Sequence, residues 1–318
     1  MAKASSPAKV ILLGEHAAVY GKPVLTVTLD LRAYATVKRR DDDKVIINAP
    51  DLKVKGYETT VFELPDKIEE KKVGFLLNIV WRALDKIGKN SGLEVTIKSD
   101  IPVGSGLGSS AAISSSLILA ISEEFGAKLS KQEVAETAWA CEHLVHSKSS
   151  GVDPFAVTFG GLCSYKHGRI REIKAKKFPE LIIVNTGIAS KTGDVVSAVN
   201  RRKENALFIF DDILKLVAKI VDRGEKEISY GNWRKFGLLM NMNHGLLSSI
   251  GVSCVELETL VHAARDAGAM GAKLCGAGCG GIMIALVDEK SRPKVEKALK
   301  KHGKIVDAKV SLEGARIE

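Results

Sequence analysis

Between residues 102 and 112 the chain reads Pro102-Val103-Gly104-Ser105-Gly106-Leu107-Gly108-Ser109-Ser110-Ala111-Ala112, then runs into an Ala- and Ser-rich stretch of helical character. Glycines let backbone amides approach a ligand closely and adopt positive φ, while a helix start offers unpaired N–H groups and the positive end of its dipole. Together they describe a cradle for phosphate. The hydroxyls of Ser109 and Ser110, at the first helical turn, can cap free amides and also reach a phosphate or a magnesium ion. A Walker-type loop is excluded, because it requires GxxxxGK[ST] and no lysine follows these glycines. Gly106-x-Gly108-x-x-Ala111 does satisfy the relaxed dinucleotide fingerprint. However, Asp100-Ile101-Pro102 separates the preceding strand from the glycines, and the acids at the right distance, Glu123 and Glu124, lie inside the next helix. The plain alternative is a tight strand-to-helix turn.

Two other segments carry chemistry-bearing residues. Near the N-terminus, Ser6-Pro7-Ala8-Lys9-Val10-Ile11-Leu12-Leu13-Gly14-Glu15-His16-Ala17-Ala18-Val19-Tyr20-Gly21 sets one lysine before an apolar strand and a Gly-Glu-His turn after it. Taken alone, Lys9 reads as a solvated lysine and Glu15-His16 as a turn. The third segment, Lys273-Leu274-Cys275-Gly276-Ala277-Gly278-Cys279-Gly280-Gly281, is a second glycine loop ahead of a strand.

In order and spacing, the three segments together resemble the three motifs of the GHMP kinase family, over residues 5 to about 287. Within that family, Lys-Val-Ile-Leu-x-Gly-Glu-His-Ala-x-Val-Tyr-Gly is similar to the branch that phosphorylates mevalonate. The resemblance implies ATP- and Mg2+-dependent transfer of phosphoryl to the primary (5-) hydroxyl of mevalonate, a step of isoprenoid synthesis. It also implies an α+β, two-domain fold, with an N-terminal ribosomal-protein-S5-like α/β domain containing a left-handed crossover and a C-terminal ferredoxin-like domain. ATP and substrate would sit in the cleft between them.

The same resemblance assigns roles. Asp153, in Gly151-Val152-Asp153, matches the general base, and Lys9 the cation beside it; residues 102–112 match the ATP loop. Glu142 and Ser110 match the magnesium ligands, and Glu15, His16, Thr192, Gly276 and Ala277 the substrate side. Phosphoryl transfer needs these parts: a cation to offset phosphate charge, donors for the phosphates, and a group to orient or deprotonate the hydroxyl. Read without the motifs, Glu142 is a solvated helix acid, Asp153 a turn former in a loop, and Thr192 an N-cap. A relative with another acceptor (phosphomevalonate, the mevalonate 3-hydroxyl, a sugar) and a non-catalytic sensor are the alternative readings. The sensor is disfavoured because the acid, the lysine and the serine are all present.

Three positions depart from the family pattern: Ala8 stands where Gly is common, and Cys275 and Cys279 stand where Thr and Gly are usual. A positive φ at residue 279 would strain a cysteine by ~1 kcal/mol or more. The CxxxC spacing in a flexible loop also suggests oxidation sensitivity. His143 and His146 have an i, i+3 spacing that could bind metal, yet there is no HExxH, and a helix-surface role is favoured.

The elements that must position these residues follow from pattern. Strands are expected at residues 24–29, 33–38, 45–47, 59–64, 94–98, 156–165, 170–173, 181–184, 282–287 and 304–310. Helices are expected at 68–87, 108–125, 131–147, 194–221, 233–247, 255–267 and 293–302. The composition shifts near 175–180, which suggests domains at 1–178 and 179–318. The 318 residues are 45% hydrophobic, enough for a sizeable core, and exclude a disordered or fibrous chain. A balance of 47 Lys plus Arg against 38 Asp plus Glu leaves +9, compatible with an anionic ligand, while 5% aromatics are too few for nucleic-acid stacking platforms. Five scattered cysteines without a CxxC pair suggest a reduced, cytoplasmic protein, and no apolar run is long enough for a membrane span. Partners are thus expected to be ATP and mevalonate, with neither nucleic acid nor membrane, in a homodimer of the kind common in the family.

Overall fold

The computed structural model describes residues 1–102, 104–145, 149–175, 180–190 and 192–318. In chain order the first part comprises β1 (Ala2–Leu13), β2 (Val24–Arg39), β3 (Lys44–Ala49), β4 (Val54–Thr60), α1 (Leu64–Lys67), α2 (Gly74–Lys86), β5 (Leu93–Ser99), α3 (Ser109–Glu124), α4 (Lys131–Val145), α5 (Val152–Phe159), β6 (Leu162–Lys166) and β7 (Arg169–Glu172). The second comprises β8 (Glu180–Asn185), α6 (Thr192–Asn205), α7 (Leu207–Tyr230), α8 (Trp233–Ser249), α9 (Val255–Asp266), β9 (Gly271–Cys275), β10 (Ile282–Val287), α10 (Arg292–Leu299), β11 (Lys304–Val306), β12 (Val310–Ser311) and β13 (Arg316–Ile317). Among the described residues no helix is long and apolar enough to cross a membrane.

The first sheet runs β13-β1-β2-β5-β3-β4, with β6 and β12 also pairing with β2, and β7 with β6. β1 and β2 pair antiparallel from Ala2↔Val37 to Leu13↔Leu25, and their register slips between Pro7 and Ala8. A proline, which has no N–H to give the ladder, is tolerated at such an irregularity. Lys9 follows two residues later. The second sheet runs β11-β8-β10-β9, all antiparallel. Its order is fourth, first, third, second in chain order, the ferredoxin-like arrangement expected.

Alternate residues of β8 and β10 divide between two cores. Leu181, Ile183, Ile282, Ile284 and Leu286 join the core of the first sheet. Ile182, Val184, Met283, Ala285 and Val287 join the one built with α6 to α10. Burial on both faces explains why these strands read as unbroken apolar runs.

Several elements differ from expectation. Residues 156–165 are not one strand: α5 ends at Phe159, Gly160 and Gly161 both take positive φ, and β6 follows. A short apolar run carries no periodicity that separates strand from helix. β4 ends at Thr60, where a turn closed by Glu63 N–H donating to Thr60 O leads into α1. The helix expected from 68 starts at Gly74, where a Cβ would lie 2.0 Å from the Ile68 carbonyl oxygen. Residues 194–221 split into α6 and α7, and 304–310 into β11 and β12. β9 lies where only a loop was expected. β12 pairs with β2 and β13 with β1, so the tail returns to the first sheet. The domain boundary expected at 178 lies outside the described residues.

β9 is an edge strand whose outward N–H groups are met by α8 rather than by water. Asn241 Oδ1 accepts from Ala272 N at 2.9 Å, and His244 Nδ1 from Leu274 N at 3.3 Å. Such proximity requires small residues at the crossing. A Cβ on Gly237 would lie 2.3 Å from the Met270 carbonyl oxygen, and one on Gly271 would lie 2.3 Å from that of Gly237. Gly237→Ala should therefore separate α8 from β9 and cost about 2 kcal/mol or more in urea unfolding, whereas the same change at Gly245, where the Cβ meets nothing within 4 Å, should be near neutral.

Candidate active site

Lys9 lies within β1 and is 2% exposed. Its ammonium sits 3.0 Å from Asp153 Oδ1 and donates to the Gly106 carbonyl at 3.3 Å, while its backbone N–H donates to Leu107 O at 2.9 Å. The glycine loop lies across the lysine stem, and a Cβ on Gly108 would meet Lys9 Cγ and Cε at 3.0 Å. Gly104, Gly106 and Gly108 take φ of +71°, +79° and +79°. Burial alone would lower the Lys9 pKa; the opposing charge of Asp153, with lesser help from Cys275 and Glu142, holds it above the ordinary lysine value.

Gly108, rather than a serine, occupies the N-cap of α3, and no side chain caps it. Ser109 and Ser110 are the first two helical residues. Asp153 is likewise in the first turn of a helix, α5, and not in a loop as expected. A carboxylate there is favoured by the free amides and the dipole of the helix start. The N-cap, Gly151, has φ +78°, and a Cβ on it would lie 2.5 Å from Tyr165 Oη.

Glu142, on α4, is buried and accepts a hydrogen bond from Ser149 Oγ. Burial, then the Asp153 charge, push its carboxyl up to about 8, against the opposite pull of Ser149 and Lys9. His143, one residue on, is exposed and lies against Trp139, while His146 is outside the described residues.

The Gly-Glu-His turn is fastened to the third segment. Glu15 and Lys273, both with fully buried side chains, form an ion pair, and Lys273 also donates to Leu274 O at 2.6 Å. Glu15 Oε2 has no hydrogen-bond partner. His16, at φ +61°, donates from Nε2 to Ala277 O at 2.8 Å; Ile11 N donates to Cys275 Sγ at 3.2 Å and Gly14 N to Asn243 Oδ1 at 3.1 Å. Cys279 does take positive φ, +53°. Cys275, by contrast, ends a strand and is buried, which raises its thiol to about 11, so the oxidation-sensitive pair in a flexible loop is not what the fold builds.

These parts border one cavity of about 550 Å³. Lys9, Glu15, His16, Gly104, Ser105, Gly106, Gly108, Ser109, Ser110, Ala111, Glu142, Asp153, Thr192, Gly276 and Ala277 line it. Leu107 and Ala112 turn into the hydrophobic core instead, Pro102 closes the loop by accepting from Ser105 Oγ at 2.7 Å, and Val103 is outside the described residues. Ser149, Ser150, Ser190 and Asp194 also line the cavity and were not anticipated. Ser149 and Ser150 immediately precede the Gly-Val-Asp segment, and that adjacency was the available signal. The Glu142 carboxyl and the Ser110 hydroxyl both border this cavity and are oxygen donors, the ligand type that suits a hard divalent cation.

The model for the GHMP kinases N terminal domain matches residues 76–161, and that for GHMP kinases C terminal matches 216–305. The chain is 40% identical to a mevalonate kinase of Pyrococcus abyssi over 99% of its own length and 97% of the relative's. The chain belongs to the GHMP kinase family. Its fold is close to the crystal structure of Methanococcus jannaschii mevalonate kinase (TM-score 0.81, 30% identity, 99% and 98% of the two chains). It is also close to that of L. major mevalonate kinase in complex with R-mevalonate (0.80, 28%, 99% and 97%). The first GHMP kinase domain match contains the glycine loop, Glu142 and Asp153; the second contains the third segment.

Glu142 generates a pH dependence. With its carboxyl at about 8 in the folded chain against an ordinary 4.5, the folded state binds more protons than the unfolded chain between those values. Stability therefore falls as pH rises through that window. Urea titrations without divalent cation at a series of pH values should show this limb, and Glu142→Gln should flatten it; an unchanged slope in the variant would assign the limb to another group.

Proposed function

We propose that this chain is an ATP-dependent kinase that transfers phosphoryl to the primary (5-) hydroxyl of mevalonate, and that it works in the cytoplasm in isoprenoid synthesis. The observation that carries the reading is the buried Lys9 ammonium 3.0 Å from Asp153 at the wall of a cavity bordered by both glycine loops. Similarity to mevalonate kinases along almost the whole chain supports the acceptor.

Each residue then has a task. The backbone of residues 104–111 and the first turn of α3 receive the ATP phosphates. Ser110 and Glu142 would hold Mg2+, which when bound offsets phosphate charge. Asp153 receives the proton from the acceptor hydroxyl at a carboxylate oxygen, and Lys9 holds that carboxylate in place through their ion pair. Lys9 also stabilises negative charge as the oxygen turns nucleophilic. His16, Thr192, Gly276 and Ala277 border the side where the acceptor enters, and the buried Glu15–Lys273 pair holds that side together.

ADP release measured with mevalonate, phosphomevalonate, galactose and homoserine, with product position read by NMR, checks the acceptor. Turnover is expected with mevalonate at the 5-position, and its absence would sink the assignment. Asp153→Asn should leave ATP affinity within about threefold of the parent while lowering kcat by about a thousandfold or more; retention of most of the rate would remove Asp153 from the proton-accepting role.

A further inference from the structure

Residues 149–151, immediately ahead of α5, are held by two aromatic side chains. Trp139 Nε1 donates to Ser149 O at 3.3 Å, Tyr165 Oη donates to Ser150 O at 2.6 Å, and Gly151 leaves no space for a side chain against Tyr165 and Trp139. Within this clamp the Ser149 hydroxyl makes two bonds in opposite senses. It donates to Glu142 Oε2 and accepts from Gly151 N at 3.2 Å. Gly151 is the N-cap of the helix whose first turn carries Asp153, and Ser149 borders the same cavity as both acids.

We propose that Ser149 is a positioning residue for the phosphoryl-transfer site: its hydroxyl fixes the orientation of the Glu142 carboxylate and ties it to the start of the helix that presents Asp153. The inference rests on the kinase reading above, but not on which acceptor is used. A buried carboxylate oxygen held by a donor has one orientation available for a cation, and a single oxygen atom here touches both the Glu142 carboxylate and the N-cap of α5. Hydroxyl groups in this relation to a metal-binding carboxylate typically govern affinity by about tenfold or more. A residue that only packed would act through its volume, whereas Ser149 acts through a donor and an acceptor on one atom.

Ser149→Ala, Ser149→Cys and Ser149→Thr separate these cases. Mn2+ binding to the protein in the presence of a non-hydrolysable ATP analogue, read by electron paramagnetic resonance, needs no turnover. Ser149→Ala is expected to weaken it about tenfold and to lower kcat to a similar degree, with thermal melting used to confirm the fold. Ser149→Cys, close in volume but a poor donor, should follow alanine, and Ser149→Thr should stay within about threefold of the parent. Parental Mn2+ binding in the alanine or cysteine variant overturns the proposal, as does a threonine variant as impaired as alanine. Loss of mevalonate turnover in the parent with this ranking intact in Mn2+ binding would count against the acceptor and for Ser149.

Discussion

An ammonium buried in a β-strand requires a counter-charge, and much of the architecture around the cavity follows from meeting that requirement for Lys9. An unpaired charge in that position is not tolerated, because desolvation costs more than any packing gain returns. Asp153 supplies the charge and Gly106 O a second acceptor. To bring them there, two distant stretches of chain must converge on β1: the glycine loop and the start of α5. Gly108 is needed because the loop lies directly on the lysine stem, and Gly151 because the α5 start is pressed against Tyr165 and Trp139. The glycines are therefore tied to one lysine as much as to a ligand.

The second buried pair, Glu15 with Lys273, has a different value. An ion pair removed wholly from water is a poor source of stability, since the desolvation of two charges offsets most of their attraction. Its effect is positional. It joins the turn after β1 to β9, and β9 is in turn held along its outer edge by Asn241 and His244 of α8. Because Leu274 N–H can only donate, His244 Nδ1 must accept, which leaves Nε2 to donate to Glu258. The third loop leaves this fixed strand and tolerates a left-handed cysteine at 279 because its N–H is secured by Val252 O at 2.7 Å, while Gly278 and Gly280 absorb the close approaches on either side.

Features of the site written in local residue types were legible in the sequence: the glycine loop before α3, the helices α3 and α4, and the ferredoxin-like second sheet implied by family resemblance. What was not legible depends on contacts between distant segments. Lys9 alone looks like a surface lysine, and nothing near it in sequence says that Asp153, 144 positions away, will bury it. Lys273 looked like the edge of a glycine loop, although a lysine inside Ala272-Lys273-Leu274-Cys275 is what a strand with one buried ion pair would show. Asp153 reads as a loop residue because Val152 to Phe159 is too short and too apolar to show a helical period. The tail strands β12 and β13 carry too few residues for any pattern.

Charge composition takes on a different meaning at the scale of the cavity. Among the described lining residues the excess of nine positive charges over the chain is not seen: Glu15 pairs with Lys273, and Lys9 pairs with Asp153, with Glu142 and Asp194 also on the wall. A polyphosphate entering such a space would add negative charge beside these acids. One lysine cannot neutralise both Glu142 and Asp153, and its ammonium is in direct contact with Asp153. Glu142 is left to keep a proton or to exchange it for a cation. Proton loss at Glu142 and cation entry would thus be linked equilibria, because burial raises the carboxyl's pKa and a bound cation would lower it.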